Sequence, residues 1–205
     1  TGTRPAAPDV RWTTAGSPYR ISTNLTVPAG VTLAIEPGVS VYIASGRKLS
    51  LGSSAVLKVM GTPYGRVRFS HIPGAAPEDD ADIPGTQLGP PKWHGITIDG
   101  SLSPNNRISY ADFVNAQVPG FDATLNINRS FCTVEFCTFR GSKFHAIRGD
   151  STSLVVTDCY FYTDYKPGDN PLTLGLDNAS EFVQLGVGGA SGANFTGNWP
   201  TGGVL

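Results

Sequence analysis

The residues best suited to chemistry crowd into one stretch of this chain: Arg140, Lys143, His145, Arg148, Asp150, Asp158, Asp164, Lys166 and Asp169. Abstracting a proton next to an acid group takes a cation to neutralise the substrate carboxylate and a base to take the proton. Arg148, Asp150, Asp164 and Lys166 are the candidates for those roles. Asp150 with Asp164, or Asp158 with Asp164, would instead supply the two carboxylates of a glycoside hydrolase, roughly 5–9.5 Å apart. Solvated loop charges have the same composition, and the repeats hold no adjacent Asp-Asp, Gly-His-Gly or Arg-x-Lys. The same stretch offers a binding surface. Tyr160 and Tyr162 flank Phe161, so strand alternation turns both outward if Phe161 faces in. With Tyr165, Arg140 and Lys143 they would present flat apolar rings and hydrogen-bond donors to a sugar.

Metal chemistry has thinner support. The run Glu78-Asp79-Asp80-Ala81-Asp82 gives Asp79, Asp80 and Asp82 as candidate ligands for Ca²⁺, which takes six to eight oxygens, yet it fits no EF-hand or nonapeptide pattern. A solvated loop is the competing reading, and no other cofactor is implied. His71, His94 and His145 are far apart in sequence; a coil could bring His71 and His94 together on consecutive turns, but three histidines at this spacing are a poor match to a zinc set. Cys132, Cys137 and Cys159 lack CxxC spacing and read as small buried apolar residues, with a disulfide between adjacent turns as the alternative.

The elements that must position these residues are short strands. Apolar residues at 31, 33, 35, 39, 41 and 43 alternate with polar ones, and Pro-Ala-Gly, Glu-Pro-Gly and Ser-Gly-Arg triplets separate the runs. That is half-buried strand punctuated by tight turns. Columns then recur. Leu33, Leu51 and Phe69 step by 18, as do Val31, Leu49 and Val67. Farther on, Ile108, Val134 and Val156 step by 26 and 22, and so do Ala111, Cys137, Cys159 and Phe113, Phe139, Phe161. Such returns mark a coiling chain, an all-β parallel β-helix. Steps of 22 and 26 do not divide by six, which favours a right-handed coil over a left-handed hexapeptide one. The expected organisation is an N-terminal linker or cap over 1–18 and one β-helix domain over 19–205. That domain carries a loop insertion at 72–92 and an irregular tail from about 188.

A net charge of −1 with only 15% charged residues excludes a nucleic-acid footprint. The longest apolar runs are too short to span a bilayer. No signal peptide is legible at Thr1, as in a mature or trimmed chain.

The run from Leu25 to Ile43, LTVPAGVTLAIEPGVSVYI, resembles the opening turns of secreted right-handed parallel β-helix domains of the pectin-lyase-like superfamily. The units Val134-Glu-Phe-Cys-Thr-Phe and Val156-Thr-Asp-Cys-Tyr-Phe resemble its short repeat. Where that repeat often has Asn, this chain has Tyr110, Phe136 and Asp158. The resemblance implies an extracellular or cell-surface module of a larger secreted bacterial polypeptide, whose other domains and a polysaccharide are its expected partners. A non-catalytic structural or polysaccharide-binding role is the first expectation. A lyase or hydrolase acting on acidic plant or algal glycans through the 140–169 face is the alternative, because one scaffold hosts many functions.

The later columns carry a direct test. Val134→Asp or Phe139→Asp buries a charge in the coil and is expected to abolish cooperative thermal unfolding. An unshifted melting transition for either variant contradicts the register.

Overall fold

The computed structural model describes residues 9–71, 93–114, 116, 123–140, 145–162, 183–185, 194–196 and 199–201. Through them the chain winds as a three-sided parallel β-solenoid. Sheet A stacks β1 (Val10–Trp12), β4 (Thr32–Ile35), β7 (Val56–Met60), β10 (Arg107–Ser109), β13 (Phe131–Glu135), β16 (Ser153–Thr157) and β19 (Asn194–Thr196). Sheet B stacks β2 (Tyr19–Ile21), β5 (Ser40–Ile43), β8 (Val67–His71), β11 (Ala111–Val114), β14 (Thr138–Arg140), β17 (Tyr160–Tyr162) and β20 (Trp199–Thr201). Sheet C stacks β3 (Leu25–Val27), β6 (Leu49–Leu51), β9 (Ile96–Asp99), β12 (Ala123–Asn128), β15 (His145–Asp150) and β18 (Val183–Leu185). The chain passes from A to B to C and back to A, so each strand pairs with the strand one turn away. β1 pairs with β4 and so adds a rung ahead of Tyr19.

The later columns fall as the spacing predicts. Ile108, Val134 and Val156 are register partners, and so are Phe113, Phe139 and Phe161. The early 18-residue columns do not. Leu33 pairs with Leu57, Val27 with Leu51, and Ile35 with Val59, each 24 residues on. Leu33, Leu51 and Phe69 lie in sheets A, C and B respectively. The reason is that inward positions recur both every second residue along a strand and about every eighth residue from side to side. Equal spacing in sequence therefore also links inward positions on different sides.

Each sheet contributes an inward column. In sheet A it runs Ile35, Val59, Ile108, Val134, Val156, and in sheet C Leu49, Ile96, Leu125, Ile147, all buried. In sheet B the rings of Phe69, Phe113 and Phe139 stack at 5.1 and 4.8 Å, and Trp93 lies against Phe69. The indole N–H of Trp93 donates to the Val114 carbonyl at 2.9 Å, which lets a polar ring atom sit in the interior. Burying each Val, Leu, Ile or Phe contributes roughly 1.5–3 kcal/mol.

The corners are specified as tightly as the columns. Between sheets A and B, Tyr110, Phe136 and Asp158 occupy the left-handed region, with φ of 49°, 53° and 52°. Such a conformation is uncommon in non-glycine residues, and here one corner repeats it in three successive turns. Gly61 lies at the start of the same corner, where a Cβ would clash with the Tyr110 carbonyl oxygen. At the corner between sheets C and A, Ser101, Ser130 and Thr152 are buried. Ser101 N–H donates to Ser130 Oγ at 3.0 Å, and Thr152 Oγ1 donates to the Ser130 carbonyl. Asn106 joins them: its Oδ1 accepts from Leu57 N–H at 2.9 Å and its Nδ2 donates to Ser101 Oγ at 2.7 Å. Every one of these buried polar groups has a partner, as burial demands.

All three cysteines are buried free thiols. Burial pushes the Cys132 thiol up to about 12. Burial first, and then the hydrogen bond with Cys159, holds Cys137 well above the ordinary thiol range. In the unfolded chain both would ionise near pH 9.0. The folded state therefore keeps protons that the unfolded state loses. Stability is unaffected by these thiols below that pH and falls above it, by about 1.4 kcal/mol per pH unit for each thiol. Urea unfolding followed from pH 8 upward is expected to show this fall. Cys132→Ala is expected to make it shallower by one thiol's share, and an equal slope in the variant contradicts it.

Candidate functional site

The outer face of sheet A holds a shallow open groove of about 430 Å³. Its floor is set by the register. Lys58 on β7 is the partner of Arg107 on β10, which is the partner of Thr133 on β13; Met60, Ser109 and Glu135 form the next row. Outward residues at these alternate positions line the wall, and at Gly61 the backbone of Ser109 and Tyr110 packs against the chain too closely for any side chain. Pro104 and Asn105, on the loop before β10, form the rim.

Like charges directly opposite on neighbouring strands repel. The Lys58–Arg107 pair is relieved by Glu135, whose side chain is 14% exposed. Arg107 Nη2 and Nε donate to Glu135 Oε1 at 2.5 and 2.8 Å, and Ser109 Oγ donates to the same oxygen at 2.7 Å. Arg107 thus spends two of its nitrogens on Glu135. The Lys58 ammonium, one strand away on the same face, has no carboxylate partner among the described residues.

At the corner beside the groove, the Tyr110 and Phe136 rings stack at 4.6 Å and 9°. Arg66 closes the column. Its guanidinium lies 6.0 Å from the Tyr110 ring centre and pairs with Asp112 at 2.7 Å. It also donates to the carbonyls of Ala111 and Phe136 and to Thr138 Oγ1. One side chain at the entry to β8 therefore ties β11 and β14 together through the corner. Tyr64, at the tip of the Thr62–Gly65 turn, stands fully in solvent.

The residues singled out by sequence are divided between two sheets. Tyr160 lies on β17 of sheet B, 45% exposed, in register with Thr138 and Trp199. Arg140 and Tyr162 are register partners on β14 and β17. Arg148 and Asp150 sit on β15 of sheet C, opposite Asn126 and Asn128. The backbone thus places the single 140–169 face on two sides of the coil. Arg148 and Asp150 are two residues apart on one strand, so both belong to the same side of sheet C, and Asp150 Oδ1 accepts from Ser151 Oγ at 3.3 Å. Asp158 stands at the other end of β16 from Asp150. Both carboxylate pairs expected of a glycoside hydrolase include Asp164, which lies outside the described residues. Lys143, Asp164, Tyr165 and Lys166, and the candidate Ca²⁺ ligands Asp79, Asp80 and Asp82, lie outside the described residues.

Among the described residues no three His, Cys, Asp or Glu side chains converge as a metal site. His94 begins the approach to β9, its N–H donating to the Arg47 carbonyl at 2.7 Å. Its imidazole titrates below the usual histidine range because burial, and then the Lys48 and Arg47 charges, disfavour the cation.

Sequence reasoning missed Lys58, Arg66, Arg107, Ser109 and Glu135. Lys58 and Arg107 are 49 residues apart across the 72–92 insertion and Arg107 and Thr133 are 26 apart, so no fixed return announces this row in the sequence.

No family model, no curated protein and no solved structure matches this sequence. What the coordinates define is a class of architecture, the parallel β-solenoid.

The Arg66 clamp has a measurable weight. Arg66→Met leaves the Asp112 carboxylate and two corner carbonyls without their donor. It is expected to lower the unfolding free energy by about 1–3 kcal/mol, read from urea titration. An unchanged midpoint contradicts the clamp.

Proposed function

We propose that this chain is a non-catalytic module that binds polysaccharide, with the groove on sheet A as its primary surface. The observation that carries this reading is how the groove's polar groups are spent. Its one carboxylate, Glu135, is held by Arg107 and Ser109, so it is poorly placed to act as a base. The Lys58 ammonium remains as a cationic donor for a ligand. Met60 and Pro104 beside it give apolar contact to a sugar ring. An open groove running across stacked strands suits an extended chain rather than a compact small molecule. Lys58 favours glycans that carry carboxylate or sulfate groups, because a charged hydrogen bond is stronger than a neutral one.

A secreted setting at the cell surface, alongside other domains of one polypeptide, fits this role. So does a right-handed coil of the pectin-lyase-like kind, the sense that about 98% of parallel crossovers take. Tyr160 on sheet B extends the binding surface around the corner. The lyase reading rests on Arg148 and Asp150, which share one side of β15.

Affinity electrophoresis in gels containing polyuronate, sulfated glycan or neutral glycan tests the proposal. Retardation by an acidic glycan without turnover is expected. Lys58→Ala is expected to weaken it about tenfold, the equivalent of 1.4 kcal/mol. Unsaturated or reducing ends appearing during incubation, and vanishing in Asp150→Asn, would make the chain an enzyme and overturn the module reading.

A further inference from the structure

The two cysteines at the corner between sheets A and B have no part in the binding surface, yet their placement is specific. Cys137 follows Phe136 and Cys159 follows Asp158, both left-handed corner residues, so each enters its strand from the same bend. Thr138 is the register partner of Tyr160, and Tyr160 N–H donates to the Cys137 carbonyl at 2.8 Å. Cys137 and Cys159 are therefore neighbours one rung apart. Adjacent strands lie about 4.8 Å apart, within the roughly 4.4–6.8 Å between Cα atoms that a disulfide spans. Both side chains are fully buried and enter the interior from equivalent positions one rung apart. Their contacts match: Cys137 Sγ lies 3.2 Å from the Glu135 carbonyl oxygen and Cys159 Sγ 3.3 Å from that of Thr157, each two residues back. The preceding rung of this column is Ala111, which cannot bridge. Cys132 is buried on sheet A with Leu154 as its partner, so no cysteine faces it.

We infer that Cys137 and Cys159 form a redox-dependent staple, a disulfide that ties two successive turns into a covalent hoop. The ring it closes contains β14, β15 and β16, one whole turn of the coil. Solenoids hold each turn only through its neighbours and open from their ends. A rung staple stops the later turns from peeling away from the longer stack beneath them. The oxidant is a small disulfide such as oxidised glutathione. The thiolate of one cysteine attacks it, giving a mixed disulfide and one glutathione thiol. The second cysteine then displaces the other glutathione. Two protons leave the protein, one external disulfide is reduced, and one internal disulfide forms. Burial shields both thiols in the closed coil, so the bond forms as the chain folds or while these turns are open, and then persists.

The test is refolding of the full chain in a glutathione buffer poised oxidising or reducing, followed by differential alkylation and peptide mapping. The expected product of oxidising refolding is a single 137–159 linked peptide with Cys132 alkylated. Its melting midpoint should lie about 5–10 °C above that of the reduced protein, the shift expected for a ring of this size. The double variant Cys137→Ala, Cys159→Ala should melt at one temperature in both buffers, which separates the staple from any general effect of the buffer. Three alkylated thiols after oxidising refolding, a bridge that includes Cys132, or a 137–159 bridge with no gain in melting temperature each overturn the inference.

Discussion

Every turn of this coil must offer the next one the same set of inward positions. A three-sided solenoid has no central element to pack against; its core is the stack of columns that successive turns build, and a turn is stable only where its neighbour's residues coincide with its own. The stacked phenylalanines of sheet B and the aliphatic columns of sheets A and C obey that requirement along the described coil. The left-handed corner residues follow from it. Tyr110, Phe136 and Asp158 repeat one bend at one height, so that the strands entering sheet B begin in register. Charge follows too, because outward rows are in register whenever inward rows are. Lys58 and Arg107 meet for that reason, and Glu135 is placed one row over to receive the excess.

How much of this the sequence displayed depended on which regularity was being read. The strands themselves, their turns and the coiled architecture were visible from alternation, because Pro and Gly mark the breaks and apolar residues hold alternate sites. The later columns were visible because the residues are distinctive: three phenylalanines stepping by 26 and 22, with two cysteines sharing the 22-residue step, admit few other alignments. The early columns misled because Val and Leu fill inward positions on all three sides, so that one aliphatic residue does not say which side it belongs to. The true 24-residue return was present in the pairs Val27–Leu51 and Ile35–Val59 but had no unusual residue to advertise it.

The candidate site was less legible than the fold for a related reason. Charged residues were expected to cluster where they are dense in sequence, between 140 and 169, whereas a solenoid gathers residues a whole turn apart. The groove draws on residues near 58, 107 and 135, each unremarked in its own stretch. Density in sequence instead distributed Arg140, Tyr160, Arg148 and Asp150 over two sheets. Tyr110 and Phe136 were noticed only as substitutes for an asparagine ladder. The structure gives them a physical role, as stacked rings that cover the corner under the Arg66 guanidinium.

Asn106 completes the sheet A ladder with its side chain, its Oδ1 accepting the Leu57 N–H that a strand carbonyl would otherwise take. The backbone of residues 102–105 is thereby released from the ladder, and the loop can leave the coil without opening a gap in it. Loop length at that point is uncoupled from the pitch of the solenoid. Pro104 and Asn105, at the rim of the groove, can accordingly be exchanged, lengthened or shortened while the turns above and below keep their stacking. The coil thus has a variable lip on an invariant barrel, a place where descendants of one scaffold can diverge in what they hold without renegotiating how they fold.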